Sequence, residues 1–173
     1  MTGARWIVLF LVPLLLFAQS SLLDAVRKHD LNAARSLLNG GSTSPDQFDS
    51  LGATPLHVAC WEGDVAMVKL LLGHGATVDI RHKEAGSTPL HYAIITDRPE
   101  IVQLLLDHKA DLDARYRSGQ SALHLAANRG YLKIAEILVE RGAKVDAVDD
   151  SGATPLDEAI WKGSAPVTQF LLS

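Results

Sequence analysis

The sequence predicts an all-α solenoid of stacked helix-turn-helix units joined by β-turn or hairpin loops. Three observations predict it. A tetrapeptide recurs as Thr54-Pro55-Leu56-His57, Thr88-Pro89-Leu90-His91, Ser121-Ala122-Leu123-His124 and Thr154-Pro155-Leu156-Asp157, at spacings of 34, 33 and 33 residues. A glycine stands two positions before each copy, as Gly52, Gly86, Gly119 and Gly152. An apolar segment follows the first three copies: Val68 to Leu72, Val102 to Leu106 and Ala135 to Val139. A fixed period of this length marks units that cannot bury an apolar face alone and therefore stack on one another.

Residues 1–20 read as a secretory signal peptide outside that repeat pattern. Arg5 is their only charge, Trp6 to Phe17 is an unbroken apolar run, and Ala18-Gln19-Ser20 carries small residues where a signal peptidase reads. A membrane anchor is the competing reading, but a spanning helix needs about 20 apolar residues and this run is shorter and holds Pro13. With no cysteine after the run, a bacterial lipoprotein anchor is excluded. The expectation is export to a periplasmic or extracellular location, with no stable membrane anchor after cleavage. The absence of any Asn-x-Ser/Thr acceptor favours a bacterial exporter.

Residues 21–48 read as a cap-like, degenerate unit. Leu22-Leu23-Asp24-Ala25-Val26 forms its first segment, Asp30 caps a second running from Leu31 to Leu38, and Gly40-Gly41 stops it. It lacks the Thr-Pro opening, as a terminal unit with one wet face is free to do.

Full units follow over residues 49–81, 82–115 and 116–148. In the first, the Thr54 hydroxyl is placed to cap a helix, and Pro55 at its first position forfeits no hydrogen bond. Leu56, Ala59 and Cys60 share one face. Gly63 permits the left-handed residue that ends this helix, Asp64 caps the next, and Gly75 ends that one. The second full unit departs from the pattern at Asp97 and Lys109, where its neighbours carry glycine, at Pro99, and in an extra residue near Glu84-Ala85. It is expected to be the softest point of the stack. Residues 149–173 form a last unit, expected to be either a short terminal cap or a truncated unit of a sequence that is itself a fragment.

This pattern resembles the ankyrin-repeat family over roughly residues 20 to 173. The resemblance implies a scaffold for protein partners, with variable positions on turn tips and first helices doing the binding. Carried over residue by residue, the candidate contacts are Leu51, Trp61 and Glu62; Lys83, Glu84, Ile95 and Thr96; Arg117, Asn128 and Arg129; and Trp161 and Lys162. Trp61, Ile95 and Trp161 weigh most, because large apolar groups facing water are costly unless covered and Trp and Arg dominate binding hot spots. A tryptophan lying flat on its neighbouring repeat would instead fill a groove and bind nothing. The expected strip runs from Trp61 past Ile95 and Arg129 to Trp161.

Chemistry is poorly represented. His57, His91 and His124 recur at one repeat position, but stacked helices lie about 8–10 Å apart, too far for adjacent imidazoles to share a zinc. For these the resemblance implies local bonding to backbone and hydroxyl groups. No nucleophile elbow, zincin helix, P-loop or dinucleotide fingerprint occurs. No metal, no cofactor and no catalytic activity are expected. Net charge is −4, basic residues are scattered among acids, and nucleic-acid binding is not expected. Cys60 is the only cysteine, so no intrachain disulfide forms and it is read as a small hydrophobe. The expected molecule is an exported monomeric scaffold; the alternatives are a secreted effector or toxin-associated module acting on host proteins, and an enzyme framed by the repeats.

Overall fold

Ser21 opens the first helix by accepting the Asp24 N–H at 3.1 Å while the Asp24 carboxylate accepts the Ser21 N–H at 3.2 Å. The computed structural model describes residues 21–173, so the signal-peptide reading of residues 1–20 lies outside the described residues. Over the described residues the chain forms α1 (Leu22–Arg27), α2 (Leu31–Asn39), α3 (Pro55–Glu62), α4 (Val65–Gly73), α5 (Pro89–Ile95), α6 (Pro99–Asp107), α7 (Ala122–Arg129), α8 (Leu132–Glu140), α9 (Pro155–Lys162) and α10 (Ala165–Leu172). Among the described residues there is no strand, and the expected hairpin loops are turns.

Each odd-numbered helix packs on the even-numbered helix that follows it. The odd helices α1, α3, α5, α7 and α9 also contact one another in sequence, as do α2, α4, α6, α8 and α10. The result is two layers of short helices sharing one apolar core. Leu56, Ala59, Cys60, Met67, Val68 and Leu71 are all fully buried, as are their repeat equivalents Ala93, Ile94, Val102 and Leu105 and then Leu123, Ala126, Ala127, Ile134, Ala135 and Leu138. Burying one such leucine or isoleucine is worth about 1.5–3 kcal/mol, so stacking holds the fold together. Burial pushes the Cys60 thiol well above its ordinary range, which keeps it protonated and inert.

The Asp64 carboxylate accepts the Met67 N–H at 2.9 Å and starts α4, as its position predicts. Gly63 takes the left-handed conformation at φ 77°. In the second full repeat the same demand falls on Asp97 at φ 54° and Lys109 at φ 67°, where a Cβ crowds the backbone. Arg98 stands where Asp64 caps α4, and it supplies no capping bond to α6.

The turns are tied to one another. Asp49 accepts the Leu51 and Ala53 N–H groups at 2.9 and 2.8 Å, and Asp149 repeats the arrangement at Ser151 and Ala153. The Lys83 N–H donates to the Gly52 carbonyl at 3.0 Å, and the Asp150 N–H to that of Ser118 at 3.0 Å. Arg81 and Arg115 each donate to a carbonyl of their own turn and one of the next, Gly86 and Arg115 for the first, Gly119 and Val148 for the second.

Candidate functional site

The repeated histidines explain themselves as structure. The Thr54 N–H donates to His57 Nδ1 at 3.2 Å, which leaves the proton on Nε2 to be donated to the Ser87 carbonyl of the next repeat at 3.1 Å. His124 does the same between Ser121 and the Ala153 carbonyl, at 3.2 and 2.9 Å. In the last repeat Asp157 accepts the Thr154 N–H at 2.8 Å but has no proton to pass onward. His91 departs from the pattern: its Nδ1 accepts the Thr88 N–H at 3.1 Å, while its buried Nε2 lacks the hydrogen bond to the next turn that His57 and His124 make. Burial lowers the pKa of His57 and of His91 to about 4, so both imidazoles are neutral at physiological pH.

Trp61, Ile95, Asn128 and Trp161 occupy one repeat position at the ends of α3, α5, α7 and α9, and the packing order of those helices places them in a row. Their surroundings differ sharply. Trp161 is 83% exposed and Trp61 is 48% exposed. The Trp61 ring meets Tyr92 of the next repeat edge to face at 5.8 Å, so it neither lies flat in a groove nor stands free.

Three of the candidate contacts are occupied elsewhere. Ile95 is half-buried against the core, and the Thr96 hydroxyl donates to the Tyr92 carbonyl at 2.9 Å. The Asn128 side-chain amide donates to Glu158 at 2.6 Å, and Gln120 donates to the same carboxylate at 2.8 Å. Glu158 is only 4% exposed, so Asn128 serves as a strut between α7 and α9 and is not a free contact. The remaining candidates reach the surface. Leu51 is 65% exposed on the first turn tip, and Glu62, Glu84, Arg129 and Lys162 are exposed. Lys83 lies 4.3 Å from the centroid of the Phe48 ring, and the Arg117 guanidinium 5.7 Å from that of Tyr116.

A feature that residue-by-residue reading missed lies beside Trp61. The end of α1, the first turn, α3 and the following repeat border a depression of about 460 Å³ lined by Arg27, Asp49, Trp61, Glu62, His82 and Tyr92 among others. Burial would raise the Asp49 carboxyl, but hydrogen bonds from Ala53 and Leu51 and the paired Arg27 charge outweigh it and hold it below the ordinary range. Tyr92 was the available signal, as the one aromatic residue where the other repeats carry Val58, Leu125 and Glu158. Among the described residues no group of three or more His, Cys, Asp or Glu side chains is placed to hold a metal ion.

The family model described as ankyrin repeats (3 copies) matches residues 22–116 and 112–173. The chain belongs to the ankyrin-repeat family. It is 44% identical over 59 residues to the B-cell lymphoma 3 protein homolog of Mus musculus, a match covering 34% of this chain and 13% of that protein. It is 41% identical over 54 residues to a glycerophosphocholine phosphodiesterase of Candida albicans, covering 31% of this chain and 5% of that protein. An ankyrin repeat protein of Rickettsia bellii is 53% identical over 38 residues, covering 22% of this chain and 16% of that one. The chain thus spans a small fraction of the curated relatives it matches. Ankyrin repeats are generally non-catalytic modules for protein interaction, and the likeness to the phosphodiesterase covers only a short stretch of repeats. No helix among the described residues is long and apolar enough to cross a membrane.

Proposed function

We propose that this ankyrin-repeat protein is an exported, non-catalytic, monomeric scaffold that holds a protein partner on the face of its turn tips and first helices. The observation that carries this reading is the pair Trp161 and Trp61, 83% and 48% exposed at one repeat position. Leaving that much indole in water is unfavourable, and tryptophan is the residue type most enriched among binding hot spots. Glu62, Arg129 and Lys162 are exposed on the first helices and supply a polar rim, and Leu51 adds an exposed apolar contact on the first turn tip. Export is supported by the Arg5, Trp6 to Phe17 and Ala18-Gln19-Ser20 pattern, which directs the protein to the periplasm or the outside of the cell.

Crosslinking in the exported fraction, followed by capture, identifies the partner. The double variant Trp61→Ala/Trp161→Ala should then lose binding while keeping its helical spectrum; unchanged affinity in the folded variant refutes the site. A second reading, a secreted effector acting on host proteins, draws on the likeness to repeats of mouse and fungal proteins. A delivery assay separates it from the first, because only an effector reaches host cytosol.

A further inference from the structure

The depression beside Trp61 combines several rings with an unpaired carboxylate. His82 stacks on Tyr92 at 6.0 Å with the planes 19° apart, and the Trp61 ring stands edge to face with Tyr92 at 5.8 Å. His57 meets Tyr92 edge on at 5.2 Å. His82 Nδ1 accepts the N–H groups of Glu84 and Ala85 at 3.3 and 3.2 Å, which fixes the ring in place. Arg27 is the one guanidinium lining the space, and it is paired with Asp49. Asp49 is further saturated by two backbone N–H groups. Glu62 also lines the space, is exposed, and makes no ion pair among the described residues. The uncompensated charge of the pocket is therefore one carboxylate beside a set of aromatic faces.

Both features select a cation. Aromatic faces carry negative electrostatic potential, and a cation within about 6 Å of a ring centroid is attracted to it. The open side at half-exposed Trp61 suits a flat group that slides over a ring, and the two oxygens of Glu62 match the paired N–H groups of a guanidinium. A volume of about 460 Å³ is ample for one such side chain with its methylene stem. Among the described residues the other repeats do not rebuild this site. Ile95 and Asn128 replace Trp61 in the next two repeats, and the smaller depression at Trp161, about 290 Å³, contains no second ring.

We propose that this depression is a seat for an arginine side chain presented by the bound protein. The inference rests on the reading of this face as a partner surface and names the chemistry that the surface reads. Trp61 supplies the stacking face, Tyr92 and His82 the side wall, and Glu62 the counter-charge.

The test uses the full chain and the probe N-acetyl-arginine methylamide, followed through the indole N–H resonances in a ¹H–¹⁵N spectrum. The Trp61 signal, assigned by its loss in Trp61→Phe, should shift saturably while that of Trp161 stays put. N-acetyl-citrulline methylamide, of the same shape without the charge, should bind roughly tenfold more weakly. Glu62→Gln should weaken the arginine probe roughly fivefold and leave citrulline binding unchanged. No saturable shift, equal binding of the citrulline or N-acetyl-lysine methylamide probe, or an equal response at Trp161 overturns the arginine assignment. If the arginine probe fails while capture of the partner still requires Trp61, the arginine seat falls and the partner face stands.

Discussion

Acidification from pH 7 to pH 5 should strip several kcal/mol from this protein through His57 and His91. In the unfolded chain both imidazoles return to the ordinary value of 6.5 and take up protons across this interval, whereas in the fold they stay neutral until about pH 4. The sign follows: a depressed folded pKa leaves stability whole above pH 6.5, drains it as pH falls from 6.5 to about 4, and holds it constant below. Both side chains are fully buried, so solvent does not screen the effect. Each then loses about 2 kcal/mol between pH 7 and pH 5, and the pair about 4 kcal/mol. Asp24, Asp49, Asp149 and Asp157 also have lowered pKa values, but they act only near and below the ordinary carboxylate value of 3.8, outside this window. Urea unfolding followed by circular dichroism measures the change, and a slope of about 2 kcal/mol per molar makes it a midpoint shift of about 2 M. A shift under about 0.5 M, or an undiminished pH dependence in His57→Asn/His91→Asn, refutes the reasoning.

Two further outcomes follow from buried and strained groups. Glu158→Ala leaves the Gln120 and Asn128 amides without their acceptor and should destabilise the α7–α9 junction by about 1–3 kcal/mol, measured by chemical denaturation. A neutral result contradicts the strut. Lys109→Gly relieves a left-handed residue at φ 67° on the surface, where relief of about 1–2 kcal/mol is partly offset by glycine's extra chain entropy. The net gain should be about 0.5 kcal/mol, seen as slower amide exchange in α6. Faster exchange contradicts the claim that this repeat is strained there.

The sequence by itself determined the repeat and its period, and with them the fold. Thr54, Pro55, Leu56, Gly63 and Asp64 act through local capping, backbone freedom and helical spacing, so their roles are legible wherever the motif recurs. The same locality makes Lys109 legible as a left-handed residue, because it stands where the neighbouring repeats carry Gly75 and Gly142.

Tertiary structure alone decided which of the variable positions are free. Trp61, Asn128 and Trp161 are equivalent by register, yet one edges against Tyr92, one holds Glu158 and one stands in water. Their difference comes from the neighbouring repeat about 33 residues away, whose side chains fill or vacate the space beside each position. For the same reason the arginine-sized depression was invisible in the motif: its walls come from α1, the first turn, α3, the second turn and α5, which adjoin only when the repeats stack.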